Sequence, residues 1–175
     1  MLEAVSKTIQ DVIAPNLKVL FCGINPGLYS GATGHHFARP GNRFWKTLFA
    51  AGFSDCLLQP YEQSELLKNG YGITNLCERT TARADELTGD EIVAGGAKLR
   101  EKVLRFKPKI LAILGITSYR VAFNRPKAAL GLQDEQIGAT RIWVLPNPSG
   151  LNAHYQAKDL AGLFIELRET VENEN

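Results

Sequence analysis

Cysteine is scarce in this chain: only Cys22, Cys56 and Cys77 occur in 175 residues, and no two share a CxxC spacing. An odd, dispersed set of three excludes a four-cysteine iron–sulfur cluster and argues against a disulfide framework or a zinc site. Long apolar runs are also missing. No stretch approaches the ~18 uninterrupted apolar residues of a membrane span, and the start, MLEAVSKTIQ, lacks the basic-then-apolar order of a signal peptide. A soluble cytoplasmic protein is therefore expected. Charge of neither sign dominates, since 20 Lys and Arg against 18 Asp and Glu leave a formal net +2. That balance permits nucleic-acid binding without indicating it. There is no GxGxxG fingerprint, no GxxxxGK[ST] loop and no GxSxG turn, which speaks against dinucleotide, phosphate-loop and serine-hydrolase chemistry. No carboxylate pair shows a recognisable catalytic spacing.

What is present suits one compact domain over residues 1–175, with 45% hydrophobic and 22% charged residues. Short, nearly continuous apolar runs bounded by Gly and Pro predict buried strands at 17–22, 110–114 and 141–145, and a shorter one at 72–76. Between them, helices are expected at 44–51 with Asn42 as N-cap, at 90–106, at 118–123 capped by Thr117, and at 159–171. The pair Gly95-Gly96 weakens the second of these, at about 1 kcal/mol per glycine relative to alanine. Strands alternating with helices predict a three-layer α/β/α fold with a mainly parallel central sheet, in which ligands bind beyond the carboxyl ends of the strands.

Two of those strand ends carry distinctive loops. The first, Gly23-Ile24-Asn25-Pro26-Gly27, holds one carboxamide at a defined point, with proline fixing the backbone beside it. Asn25 donates and accepts, and so suits orienting a water, but it does not ionise into a strong base. Taken alone, the pentapeptide serves equally well as a structural turn. The second, Pro146-Asn147-Pro148-Ser149-Gly150-Leu151, is stiffened by two prolines and offers Ser149 and backbone N–H groups to an anion. Leu151 stands at its tip, either folded back on the core or serving as an apolar wedge of the kind that unstacks a duplex.

Together with His36-Phe37, Pro40-Gly41-Asn42-Arg43-Phe44-Trp45-Lys46, Thr74-Asn75-Leu76-Cys77-Glu78-Arg79-Thr80-Thr81 and Ile113-Leu114-Gly115, these loops resemble the mismatch-specific uracil/thymine DNA glycosylases, the Mug/TDG family of the uracil-DNA glycosylase superfamily. The resemblance runs from about residue 11 to residue 170. It implies an enzyme that flips a mispaired pyrimidine out of DNA and cuts it from the sugar with water, leaving an abasic site, without metal or other cofactor. By the same resemblance, Asn25 positions the attacking water, and Phe37 stacks on the flipped base. Ile24, His36 and Asn75 complete the base pocket. Leu151 fills the vacated gap, while backbone groups of Gly150 and Asn152 read the opposite guanine.

Ser149, Arg43 and Lys46 are the candidates for the DNA backbone, with Arg39, Arg79 and Arg83 flanking. The implied partner is duplex DNA with G·U or G·T mismatches or damaged pyrimidines, bound by a monomer that touches no membrane. Relatives specific for uracil carry an aspartate and a histidine where Asn25 and Asn147 stand, which implies slower turnover here. Two rival readings are a mismatch-binding module that does not cut and an α/β enzyme acting on free nucleotides.

Overall fold

The computed structural model describes residues 8–174, so the expectation about the first seven residues of the chain lies outside it. Five strands form one sheet in the order β2-β1-β3-β5-β4: β1 Val19–Gly23, β2 Tyr71–Asn75, β3 Ile110–Leu114, β4 Gly131–Ile137 and β5 Thr140–Leu145. The first three and β5 run parallel, and β4 closes one edge antiparallel to β5. The helices are α1 Leu28–Thr33, α2 Phe44–Ala50, α3 Gly89–Phe106, α4 Ile116–Ala122 and α5 Ala157–Asn173, with 3-10 helices at Pro60–Asn69 and Ala84–Glu86.

Alternation along the strands divides the core into two halves. Phe21, Ile73, Ala112 and Leu145 pack with Phe44, Leu48, Phe164 and Leu167 on the face covered by α2 and α5. Leu20, Cys22, Leu111 and Val144 pack with Leu99, Val103 and Tyr119 on the face covered by α3 and α4. Burial on both faces is why the strands read as apolar runs rather than as an alternating pattern. The three-layer α/β/α architecture with a mainly parallel sheet is therefore as expected. Among the described residues no helix is long and apolar enough to cross a membrane.

Several details differ from the sequence expectations. The helix 89–106 is continuous despite Gly95-Gly96, because both glycines face close neighbours. A Cβ on Gly95 would lie 2.3 Å from the Leu76 carbonyl oxygen, and one on Gly96 would lie 2.9 Å from that of Ala122. The pair lets α3 press against the loop after β2 and against α4, and the tight approach offsets the low helix propensity of glycine.

The fourth helix starts at Ile116 from a Gly115 N-cap, not from Thr117, since Gly115 takes a φ of 144° that suits glycine. Asn42 does cap α2, its Oδ1 accepting the Phe44 N–H at 2.9 Å, although the N-cap position itself is Arg43. Helix α1, both 3-10 helices and β4 were not anticipated.

Candidate active site

The carboxyl ends of β1, β2 and β5 meet around one cavity of about 500 Å³. Ile24, Asn25, His36, Phe37, Asn75, Ser149, Leu151 and Asn152 all line it. The two loops singled out in the sequence thus converge on one space. Gly150 sits beside it in the second loop, whereas Arg43 and Lys46 do not line it.

Asn25 is held in one orientation. Its Nδ2 donates to the Arg79 carbonyl and to Thr81 Oγ1, each at 2.8 Å. A carbonyl only accepts, and the Thr81 hydroxyl has donated its own proton to the Arg83 carbonyl at 2.7 Å. Both neighbours therefore demand a donor, so the amide NH₂ must face them and Oδ1 is left open. The segment that carries Arg79 is itself pinned, because the Arg79 guanidinium grips Glu91 through two 2.9 Å contacts. That grip, with help from the Thr88 backbone, pulls the Glu91 carboxyl down to about 2. Beside Asn25, the backbone N–H groups of Ile24 and Asn25 have no hydrogen-bond partner among the described residues.

The base-edge candidates form a chain of the same kind. His36 is buried, and its Nε2 lies 2.8 Å from the Gln10 carbonyl oxygen. That oxygen requires Nε2 to carry the proton. Burial lowers the His36 pKa and so favours the neutral ring, against the opposing pull of the Gln10 contact and Asp11. Nδ1 is then an acceptor and takes an N–H from Asn75 Nδ2 at 3.3 Å. Asn75 consequently has Oδ1 and one remaining N–H to offer elsewhere.

Phe37 has a left-handed backbone, with φ 52°. For a bulky residue this costs on the order of 1–3 kcal/mol and persists only when its surroundings enforce it. Here they do. The His36 carbonyl accepts Trp45 Nε1 at 3.0 Å, the His36 N–H donates to Gln63 Oε1 at 2.8 Å, and the Ala38 N–H donates to Ser30 Oγ at 3.1 Å. The Phe37 ring is backed by Phe44, with centroids 4.1 Å apart. Gly23 lies beneath, and a Cβ there would come 2.7 Å from Asn75 Oδ1 and 3.1 Å from the Phe37 ring. Glycine at 23 keeps this corner open.

The second loop folds on itself. Ser149 N–H donates to Asn147 Oδ1 at 3.0 Å, Leu151 N–H to Ser149 Oγ at 3.2 Å, and Asn152 Nδ2 to the Asn147 carbonyl at 3.1 Å. The Leu151 side chain is 72% exposed, so it does not fold back on the core. Ser149 keeps its hydroxyl proton free for an acceptor. The Asn152 N–H already donates to the Ser149 carbonyl at 3.1 Å, and its carbonyl accepts from Arg43 at 3.0 Å. The Asn152 N–H is therefore not open to an opposite base, which corrects that part of the expectation, while its carbonyl oxygen keeps a second lone pair.

Arg43 is likewise corrected. Its guanidinium turns inward to the carbonyls of Ser149, Asn152 and Tyr155 and is not presented to a phosphate. Lys46 is exposed on α2.

Sequence reasoning gave no role to Thr81, although it closes the quoted Thr74-to-Thr81 motif. It also left out of the cavity Arg39, Asn42, Arg83 and Asp85, which the structure places along its wall. The only sequence signal for Thr81 was a hydroxyl residue ending that motif. Among the described residues, no three His, Cys, Asp or Glu side chains are grouped so as to hold a metal ion. The site offers neutral amides, a neutral imidazole, an aromatic face and open backbone N–H groups.

Comparison with known proteins places the chain in a family. The model of the uracil DNA glycosylase superfamily matches residues 10–168. Among solved structures, the fold is similar to that of a candidate uracil DNA glycosylase from Methanosarcina acetivorans. The TM-score is 0.59 at 20% identity, over 93% of this chain and 98% of the other. With the match of the superfamily model spanning nearly its whole length, this chain belongs to the uracil DNA glycosylase superfamily.

Proposed function

We propose that this protein excises uracil, and related pyrimidines mispaired with guanine, from duplex DNA by hydrolysis of the glycosidic bond. The observation that carries the reading is the enforced orientation of Asn25, whose open Oδ1 borders the same cavity as Phe37, Asn75 and Leu151.

The chemistry follows from the groups available. A target nucleotide is rotated out of the stack, for a few kcal/mol that a mispair partly covers in advance, and its base enters against the Phe37 ring. The C1′–N1 bond breaks with its electron pair leaving on the base, so the sugar becomes cation-like and the pyrimidine anionic. The unpartnered N–H groups of Ile24 and Asn25 supply donors for that developing charge. A water held by Asn25 Oδ1 adds to C1′ through its oxygen, and the proton it releases neutralises the departed pyrimidine anion, leaving an abasic site and the free base. A neutral amide suffices because the sugar cation, not the water, is the activated partner. Every group in the scheme comes from one chain, and none of its steps calls for a cofactor.

Asn75 supports selection of a 2,4-dione pyrimidine. With one N–H given to His36, it presents an acceptor and a donor side by side. This complements the N3–H and O4 of uracil or thymine and opposes the N3 and N4–H₂ of cytosine. Leu151, projecting beside the cavity, supports the wedge role, with the Gly150 backbone as the opposite-base reader and the Ser149 hydroxyl and Lys46 as phosphate contacts.

The test is single-turnover excision from duplexes bearing uracil or thymine opposite guanine or adenine, with wild type and Asn25→Ala. Wild type releases uracil opposite guanine, and the variant binds the same duplex but loses excision by roughly 10²-fold or more. Tight binding with no excision by wild type would instead identify a mismatch-binding module. Unchanged excision by the variant would remove Asn25 from the mechanism.

A further inference from the structure

We propose that Arg43 is a positioning residue that fixes the Leu151 finger relative to the base pocket, and not a contact to DNA phosphate. The inference rests on the wedge role given to Leu151 above.

A finger with an exposed tip has nothing in its own side chain to aim it. Its placement must come from the backbone of the loop. Arg43 supplies that placement through four hydrogen bonds to the one loop. Its Nη1 donates to the Tyr155 carbonyl at 2.5 Å, its Nη2 to the carbonyls of Ser149 at 2.9 Å and Asn152 at 3.0 Å, and its backbone N–H to the Pro148 carbonyl at 3.0 Å. The carbonyls lie on both sides of the leucine in sequence, so the guanidinium ties the loop's two legs together under its tip. The Nε is buried and unpartnered, so the group has left solvent to make these contacts. A planar fork with five donors suits this task. A lysine ammonium is a single point and does not span three separated acceptors from one position.

The other end of the link is equally specific. Arg43 directly precedes Phe44, whose ring backs Phe37 at 4.1 Å. The same turn also meets the finger directly, since a Cβ on Gly150 would fall 2.5 Å from the Gly41 carbonyl oxygen. The surface that receives the flipped base and the leucine that fills its place are therefore referenced to one short segment, residues 41–44. Moving the finger without disturbing the pocket means breaking the Arg43 contacts.

The experiment compares wild type, Arg43→Ala, Arg43→Lys and Leu151→Ala on two duplexes. One carries uracil opposite guanine. The other carries uracil opposite a pyrene nucleotide, whose bulk occupies the stack and keeps the uridine out, so that no finger is needed. On the first duplex, Arg43→Ala is expected to slow single-turnover excision by about tenfold to a hundredfold, the scale of a 1 Å misplacement. Arg43→Lys, which keeps the charge but not the fork, falls with it. On the pyrene duplex both return to the wild-type rate, as Leu151→Ala does. Combining Arg43→Ala with Leu151→Ala costs no more than Leu151→Ala alone, because both act through one device.

Three results would overturn the inference. One is undiminished excision on the guanine duplex. Another is an equal loss on the pyrene duplex, which would put Arg43 in the chemistry. The last is a slope of log affinity against log salt shallower by about 0.9, the mark of one lost phosphate contact.

If wild type proves unable to excise uracil, it is the functional reading that fails. Amide hydrogen exchange without DNA then decides the Arg43 assignment. The N–H groups of Leu151 and Asn152 should exchange faster in Arg43→Ala while those of β1 and β3 are unchanged, and equal protection would refute it. Should the alanine variant fail to fold, Arg43→Lys carries the same comparisons.

Discussion

Thr81 Oγ1 lies 2.8 Å from Asn25 Nδ2 and has spent its own proton on the Arg83 carbonyl, so Thr81 acts on Asn25 purely as an acceptor. The consequence reaches the water. With Thr81→Val, the amide loses one of its two strong reasons for facing away from the cavity and is free to turn its NH₂ inward, where it would donate to the water instead of accepting from it. Excision is expected to fall by roughly fivefold, since one neutral hydrogen bond is worth about 1 kcal/mol and the Arg79 contact survives. Thr81→Ser retains the hydroxyl and should keep most of the activity. Single-turnover rates on a guanine·uracil duplex test both. A valine variant as fast as wild type would mean that Arg79 alone sets the amide.

His36 gives the site an acid limit. An exposed imidazole titrates near 6.5, and burial moves this one lower in the folded protein. As pH falls, the unfolded chain takes up the proton before the folded one does. The contribution to stability is thus complete above about pH 6.5, declines below it, and is gone once pH has passed through the lowered folded value. Protonation would also put an Nδ1–H against Asn75 Nδ2, donor against donor, and oblige Asn75 to turn its acceptor away from the base. Uracil excision should weaken over the same acidic range. Following the His36 ring by NMR checks the origin, and a midpoint at or above 6.5 would contradict it.

The sheet was legible because its strands are sandwiched, which turns Val19 to Gly23, Ile110 to Leu114 and Ile142 to Leu145 into unbroken apolar runs. Strand β4 was not legible. Its sequence, GLQDEQI, sits at an edge with exposed residues alternating along it, and it is held as a strand by β5 rather than by its own preferences. Helix α1 has six residues and no side-chain cap, too little for a periodic signal.

At the site, Asn25, Phe37, Asn75 and Leu151 were readable as motif residues, while the directions of their polar atoms were not. Those directions depend on partners such as Arg83, 58 positions from Asn25, and Gln10, 65 positions from Asn75, each acting through an intervening residue. Arg43 shows the limit most sharply. An arginine in a motif next to DNA-facing loops suggests a phosphate contact, and only the folded positions of the Ser149, Asn152 and Tyr155 carbonyls reveal what it holds.

Gly23→Ala probes the pocket corner with a single methyl group. That carbon would lie 2.7 Å from Asn75 Oδ1 and 3.1 and 3.2 Å from two atoms of the Phe37 ring. Neither neighbour has a free retreat, because Phe44 backs the ring and His36 holds the amide. Overpacking of this kind costs about 1–3 kcal/mol of stability, visible by thermal denaturation, with the fold retained. Excision should fall much further, on the order of 10²-fold, since both groups that would meet the base are displaced. A variant with lowered melting temperature and intact excision would show that the base stacks elsewhere.

Leu151→Ala separates the wedge from the core more cleanly than any other substitution. Because the side chain is 72% exposed, truncating it removes no packing, and stability should stay within about 0.5 kcal/mol of wild type. Its effect should depend on the substrate. In a duplex, the gap left by an extruded nucleotide closes again unless something apolar occupies it, so excision opposite guanine is expected to drop by roughly tenfold or more for a lost contact worth 1.5–3 kcal/mol. In a single-stranded oligonucleotide there is no stack to hold open, and the rate should match wild type. The ratio of the two rates is therefore the decisive quantity: if alanine slows both substrates equally, Leu151 supports the chemistry and not the extrusion.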